Sequence, residues 1–133
     1  MKELIEELCS VYGPSGQEER ISEAIVPHLD GLVDEVRSDR MGNLIAVKRP
    51  TDGGANGKRI MLAAHMDEIG VMVTHVDAQG FCRFTTIGGV LTSSLIGNRV
   101  EFANGVEGAF GLEGSAIARE RPTLQKLFLD VGA

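Results

Sequence analysis

The sequence predicts an α/β fold in its first half, followed by a small all-β unit of sandwich or barrel type. Three observations carry this reading. Apolar residues recur at helical spacing only within the first 30 or so positions. From Gly70 onward, short apolar runs separated by glycine-containing breaks follow one another with no helical pattern between them. The 17 glycines in 133 residues, with only 5% aromatics, imply many tight turns and hence many short strands. That length fits one domain, or a small domain with part of another, and can bury a real core without disulfides.

Leu4, Ile5, Leu8 and Val11 share one face of a first amphipathic helix, with Glu3, Glu6 and Glu7 on the others. The run Tyr12-Gly13-Pro14-Ser15-Gly16 ends it, since proline cannot continue a helix and glycine permits positive φ. Ser15 with Glu18 three residues later has the form of a capping box for a second helix, whose stripe is Ile21, Ile25 and Leu29. Pro27 predicts a kink or an early end, and Gly31 closes the element. Val33 to Arg37 alternates as a half-buried strand, and Met41-Gly42-Asn43 turns it into Leu44-Ile45-Ala46-Val47, giving a hairpin. Pro50 to Gly57 is a loop, and the continuous apolar run from Arg59 to Ala64 predicts a strand covered on both faces within a larger sheet. Strands then follow over Val71–Val76, Phe81–Ile87, Arg99–Phe102, Gly108–Leu112 and Leu127–Ala133, with a domain boundary near Asp67 to Gly70. The chain closes on Leu127 to Ala133, an apolar strand without a polar tail, so a further segment is expected beyond it.

A net charge of -6 and the lack of any Lys or Arg run argue against nucleic acid and against an anionic membrane as partners. No apolar stretch is long enough to span a bilayer and the first residues do not read as a signal peptide, so a cytoplasmic protein is expected. Cys9 and Cys82 are too isolated for a disulfide framework or thiolate metal site and are read as small buried apolar side chains.

The cluster most suggestive of chemistry is Ala64-His65-Met66-Asp67-Glu68-Ile69-Gly70, at the carboxyl end of the apolar run, where α/β sheets place their ligands. In extended backbone His65 and Asp67 point to one face. A neutral imidazole ligates zinc or cobalt, and a nearby carboxylate fixes its tautomer. On spacing alone, a histidine and an aspartate at a strand end are more often ordinary capping and turn residues. Glu68 lacks the His-Glu-x-x-His context of a general base and reads as a solvated or turn-bonded carboxylate. His75 reads as a strand-surface group and His28 as part of a helix end. Asp39, Asn43 and Asp52 read as turn formers, and Asp130 as a turn residue or a ligand. There is no nucleophile elbow around Ser93-Ser94, and Gly53 to Lys58 lacks the phosphate-loop spacing.

Five ordered blocks now stand together: Gly13-Pro14-Ser15-Gly16, Asp39 to Leu44, Ala64 to Gly70, Gly80-Phe81 through Ile87-Gly88-Gly89, and Leu127 to Ala133. In this succession the chain resembles the amino-terminal third of a zinc-dependent aminopeptidase of the tetrahedral, glutamyl-aminopeptidase-like family, some members of which bear an older endoglucanase label. The resemblance implies the start of a zinc-peptidase-type α/β catalytic domain over residues 1–68. An inserted β-barrel oligomerisation domain, expected to be incomplete, would follow over residues 69–133. It implies two divalent metal ions, zinc or cobalt, with His65 as one ligand and Asp67 as the catalytic carboxylate that orients the site. Asp130 would then belong to the barrel rather than to the metal site.

By the same pattern, the bridging aspartate, the glutamate pair with the general base, a further carboxylate and the last histidine lie beyond Ala133. A lone imidazole does not hold a catalytic metal, for which about three protein ligands are needed. The stretch Glu113 to Pro122 also departs from the family's usual proline-histidine element there, so a remodelled barrel surface is expected. Two functions follow as expectations. In one, a cytoplasmic two-metal aminopeptidase acts on short peptides and forms a homo-oligomer through its β domain, the 133-residue chain being inactive alone. In the other, the chain is a non-catalytic assembly module that offers strand edges to a partner.

Overall fold

The computed structural model describes residues 1–51, 57–114 and 122–132. Two compact units divide the chain, Met1–Glu68 and Ile69–Ala133.

The first unit opens with helix α1, Lys2–Cys9, and helix α2, Glu19–Leu29. α1 is shorter than its apolar spacing implies: the Ser10 hydroxyl donates to the Glu6 carbonyl and the Ser10 amide to Glu7, which closes the last turn. The two helices are tied by His28 Nε2 against Glu7 Oε1 at 3.0 Å. In α2 the expected stripe holds, with Ile21 only 5% exposed and Ile25 and Leu29 half-buried. Pro27 stands in the last turn, where the helix ends two residues later and Gly31 adopts φ 70°. The capping box expected at Ser15 does not form. The N-cap is Glu18, whose side chain accepts from the Gly16 amide; the helix starts at Glu19, three residues too late for Ser15 to cap it, and the Ser15 hydroxyl donates to Asp67.

Strands β1, Glu35–Ser38, and β2, Leu44–Val47, form the predicted antiparallel hairpin, with Glu35 opposite Val47 and Ser38 opposite Leu44. Its tip is set by Asp39, whose carboxylate accepts from the Met41 and Asn43 amides and the Asn43 side chain, and by Gly42 at φ 84°. Met41 is 88% exposed there. Asp52 lies outside the described residues.

The apolar run before His65 corrects an expectation. Residues 57–64 form no strand, and Ile60, Met61 and Leu62 are 85%, 88% and 93% exposed. The sequence pattern is that of a strand between two neighbours, but among the described residues β1 and β2 pair only with each other and leave it no sheet to join. Cys9 is likewise exposed rather than buried, whereas Cys82 is buried as expected.

The second unit is a curled five-stranded antiparallel sheet built from β3 (Gly70–Val76), β4 (Cys82–Ile87), β5 (Arg99–Glu101), β6 (Glu107–Leu112) and β7 (Leu127–Asp130). Their order is β3-β4-β7-β6-β5, so the last strand in sequence enters the middle and β3 and β5 are the edges. The core follows from period-2 alternation: Cys82 and Phe84 from β4, Phe110 from β6, and Leu127 and Leu129 from β7 all point inward. Phe84 and Phe110 meet edge to face at 5.3 Å. Leu127 and Leu129 are 1% and 0% exposed, and burying each such side chain contributes about 1.5–3 kcal/mol.

Polar groups fix the outer features of this sheet. Asp77 caps the β3–β4 turn by accepting from the Gln79 and Phe81 amides. It also pairs with Arg83 at 2.9 Å, and Arg83 bonds Glu113 as well. Asp130 accepts from the Gly132 amide and is therefore a turn residue. His75 sits on β3, just past a register irregularity, as a surface group.

Candidate functional site

Two segments far apart in sequence meet beside Asp67. The loop after α1 and the stretch after the exposed apolar run lie parallel, with Pro14 bridged to Glu68. Gly13 and Glu68 hold each other twice: the Glu68 amide donates to the Gly13 carbonyl at 2.9 Å, and the Gly13 amide donates to Glu68 Oε1 at 3.3 Å. Glu68 is thus bonded to the backbone of a segment 55 positions away rather than to a local turn. Only glycine fits at position 13, since a Cβ would lie 2.7 Å from Ile21 Cγ2.

This pairing sets Asp67 between two partners. Ser15 Oγ donates to Asp67 Oδ2 at 2.5 Å, while His65 Nδ1 lies 3.0 Å from Asp67 Oδ1 and 2.9 Å from the Asp67 carbonyl oxygen. The Ser15 hydrogen bond is the largest influence on the Asp67 carboxyl and, with that of His65, holds it below its ordinary range against the opposing effect of burial. Both groups facing His65 Nδ1 are acceptors, so in the neutral ring Nδ1 carries the hydrogen and Nε2 keeps its lone pair. The His65 side chain is 85% exposed and that of Asp67 33%. The arrangement favours one tautomer of the imidazole and leaves its outer side open.

Of the sequence-derived candidates, the structure brings His65 and Asp67 together and leaves His28 and His75 in other surroundings. It adds Ser15 and Gly13. Nothing in the linear sequence links positions 15 and 67, and a serine after Gly-Pro has the form of a helix cap.

Residues 42–133 match the family of M42 glutamyl aminopeptidases. The chain belongs to that family. A lysyl aminopeptidase of Pyrococcus furiosus is 39% identical over 101 residues, which cover 75% of this chain and 28% of the relative. Aminopeptidase APDkam598 of Desulfurococcus kamchatkensis superposes with a TM-score of 0.87 at 37% identity, over 98% of this chain and 37% of that one. The TET1 peptidase of Pyrococcus horikoshii, which can assemble into a tetrahedron or a large octahedral shell, gives 0.81 at 30% identity, over 99% and 40%. The chain therefore spans well under half the length of these relatives.

M42 peptidases imply divalent metal use. Among the described residues, no three His, Cys, Asp or Glu side chains converge where an ion would sit. His65 fits as a single ligand, but the described residues do not by themselves hold a catalytic metal.

Proposed function

We propose that this chain supplies the amino-terminal part of a two-metal aminopeptidase that releases amino-terminal residues from short peptides. Residues 1–68 would belong to its catalytic domain and residues 69–133 to its inserted β domain. The single observation that carries the site assignment is His65 Nδ1 facing two acceptors, which leaves Nε2 as a directed ligand atom. His65 would be one ligand of the zinc or cobalt centre, and Asp67 the carboxylate that orients it. The remaining ligands and the general base would come from the length that the relatives have and this chain does not match. The exposed run Ile60-Met61-Leu62 supports this division, because further strands of a longer chain would be available to cover it.

Oligomerisation through the β domain is part of the same proposal. It is supported by the assembly of the Pyrococcus horikoshii peptidase and by edge strand β3, where Met72 and Val76 are 56% and 60% exposed.

The test is direct. The 133-residue chain, given zinc or cobalt, is expected to leave leucine- and glutamate-anilides intact. In a full-length relative, replacing the histidine aligned with His65 by alanine is expected to remove most of the metal-dependent hydrolysis. Turnover by the chain alone overturns the division of the site, and an unaffected full-length variant overturns the role of His65.

A further inference from the structure

We propose that Ser15 is a positioning residue that acts on His65 through Asp67. The inference rests on the reading of His65 as the functional imidazole, and it extends that reading to the loop after the first helix. The carboxylate of Asp67 has two oxygens with different tasks: Oδ1 faces His65 Nδ1 at 3.0 Å, and Oδ2 receives the Ser15 hydroxyl at 2.5 Å. A carboxylate held by one oxygen only can rotate about its Cβ–Cγ bond, because such terminal torsions are broad. Held at both, its plane is fixed, and so is the direction from which it meets the ring.

The scaffold behind Ser15 makes this more than a surface contact. Two residues earlier, Gly13 is bonded in both directions to Glu68, the residue after Asp67, so donor and acceptor ride on segments already locked together. The Gly16 amide donates to Glu18 Oε1, which turns the chain immediately after Ser15. The hydroxyl is therefore delivered to Oδ2 by backbone geometry and does not serve the start of α2, where Glu18 is the N-cap. The Asp67 carbonyl also accepts from Nδ1, so Ser15 tunes a tautomer that the backbone already favours, and its removal should weaken the preference rather than abolish it.

The readout is the ratio of Nδ1–H to Nε2–H tautomers of His65, measured from the ring 15N shifts of the metal-free chain at about pH 8.5. This does not depend on peptidase activity, so it fails or succeeds separately from the proposed function. Ser15→Ala is expected to lower the ratio about two- to fivefold, the scale of one shared hydrogen bond. Ser15→Thr, which keeps the hydroxyl at an exposed position, is expected to restore it. In an Asp67→Ala background Ser15→Ala should have no further effect, because residues acting through one another are not additive. Amide spectra of α2 and of the β sheet, unchanged in each variant, would establish that the fold is intact. An unchanged ratio in Ser15→Ala, an equal fall with and without the Asp67 carboxylate, or no recovery in Ser15→Thr overturns the proposal.

Discussion

Gly13 lies so close to Ile21 that a methyl group at position 13 would sit 2.7 Å from Ile21 Cγ2. Ile21 is the one buried hydrophobic residue of Met1–Glu68 among the described residues, so the side chain has little room to retreat. Gly13→Ala is therefore expected to destabilise this unit by about 1–3 kcal/mol through overpacking. Because the Gly13 main chain holds Glu68, the same change should disturb the amide resonances of Asp67 and Glu68. Urea unfolding followed by NMR checks both, and a wild-type midpoint would contradict the packing argument.

Leu129 carries the corresponding weight in the second unit. It is 0% exposed, stands opposite both Cys82 and Phe110, and belongs to the strand that joins β4 to β6. Leu129→Ala should cost about 2–5 kcal/mol, by lost burial and by the cavity left behind. Truncating exposed Leu91, 71% accessible, should cost far less. Comparing the two unfolding midpoints is the check.

What was legible in the sequence was local. The two helices, the hairpin with its Asp39 turn, and the alternation that turns Cys82, Phe84 and Leu129 inward all follow from spacing within ten residues. What was not legible depends on distant partners. The capping-box pattern at Ser15 is not realised because the helix starts only at Glu19, and the Ser15 hydroxyl donates instead to Asp67, 52 positions away. The insertion of β7 between β4 and β6 is likewise a fact of topology that no window of sequence contains. The His65–Asp67 pair was visible because it is two residues long. Its support by Ser15 and Gly13 was not, since those residues read equally well as punctuation after a helix.

The run from Arg59 to Ala64 gives a third prediction. Its pattern belongs to an interior strand, yet Ile60 and Leu62 are 85% and 93% exposed. Side chains that touch so little contribute little to folding of this chain, so Ile60→Lys with Leu62→Lys should shift stability by no more than about 0.5 kcal/mol. The same pair should reduce binding of an apolar dye and lower self-association in sedimentation. A large loss of stability would mean that the run is covered in solution, against its exposure here.

The β unit should also carry an acid-sensitive latch at Asp77. Burial of its carboxylate works to raise its pKa, but the hydrogen bonds and charge of Arg83 and the amides of Phe81 and Gln79 outweigh it, so the group is held below the ordinary value of 3.8. A carboxyl whose pKa is lower folded than unfolded binds fewer protons in the native state. Its contribution to stability is therefore complete above about pH 4, the unfolded range of an aspartate, and is lost as the pH falls through the depressed folded value. Arg83 is held charged throughout, first by Glu113 and then by Asp77. Asp77→Asn should accordingly destabilise the sheet near neutrality and flatten the dependence of its unfolding midpoint on pH below about 4. Since the same carboxylate caps the β3–β4 turn through the Gln79 and Phe81 amides, which an Asn side chain can also accept from, the neutral-pH loss should be smaller in Asp77→Asn than in Asp77→Ala. Urea titrations of the three proteins at pH 7 and in the acid range decide it, and parallel pH profiles for wild type and Asp77→Asn would remove the carboxylate from the account.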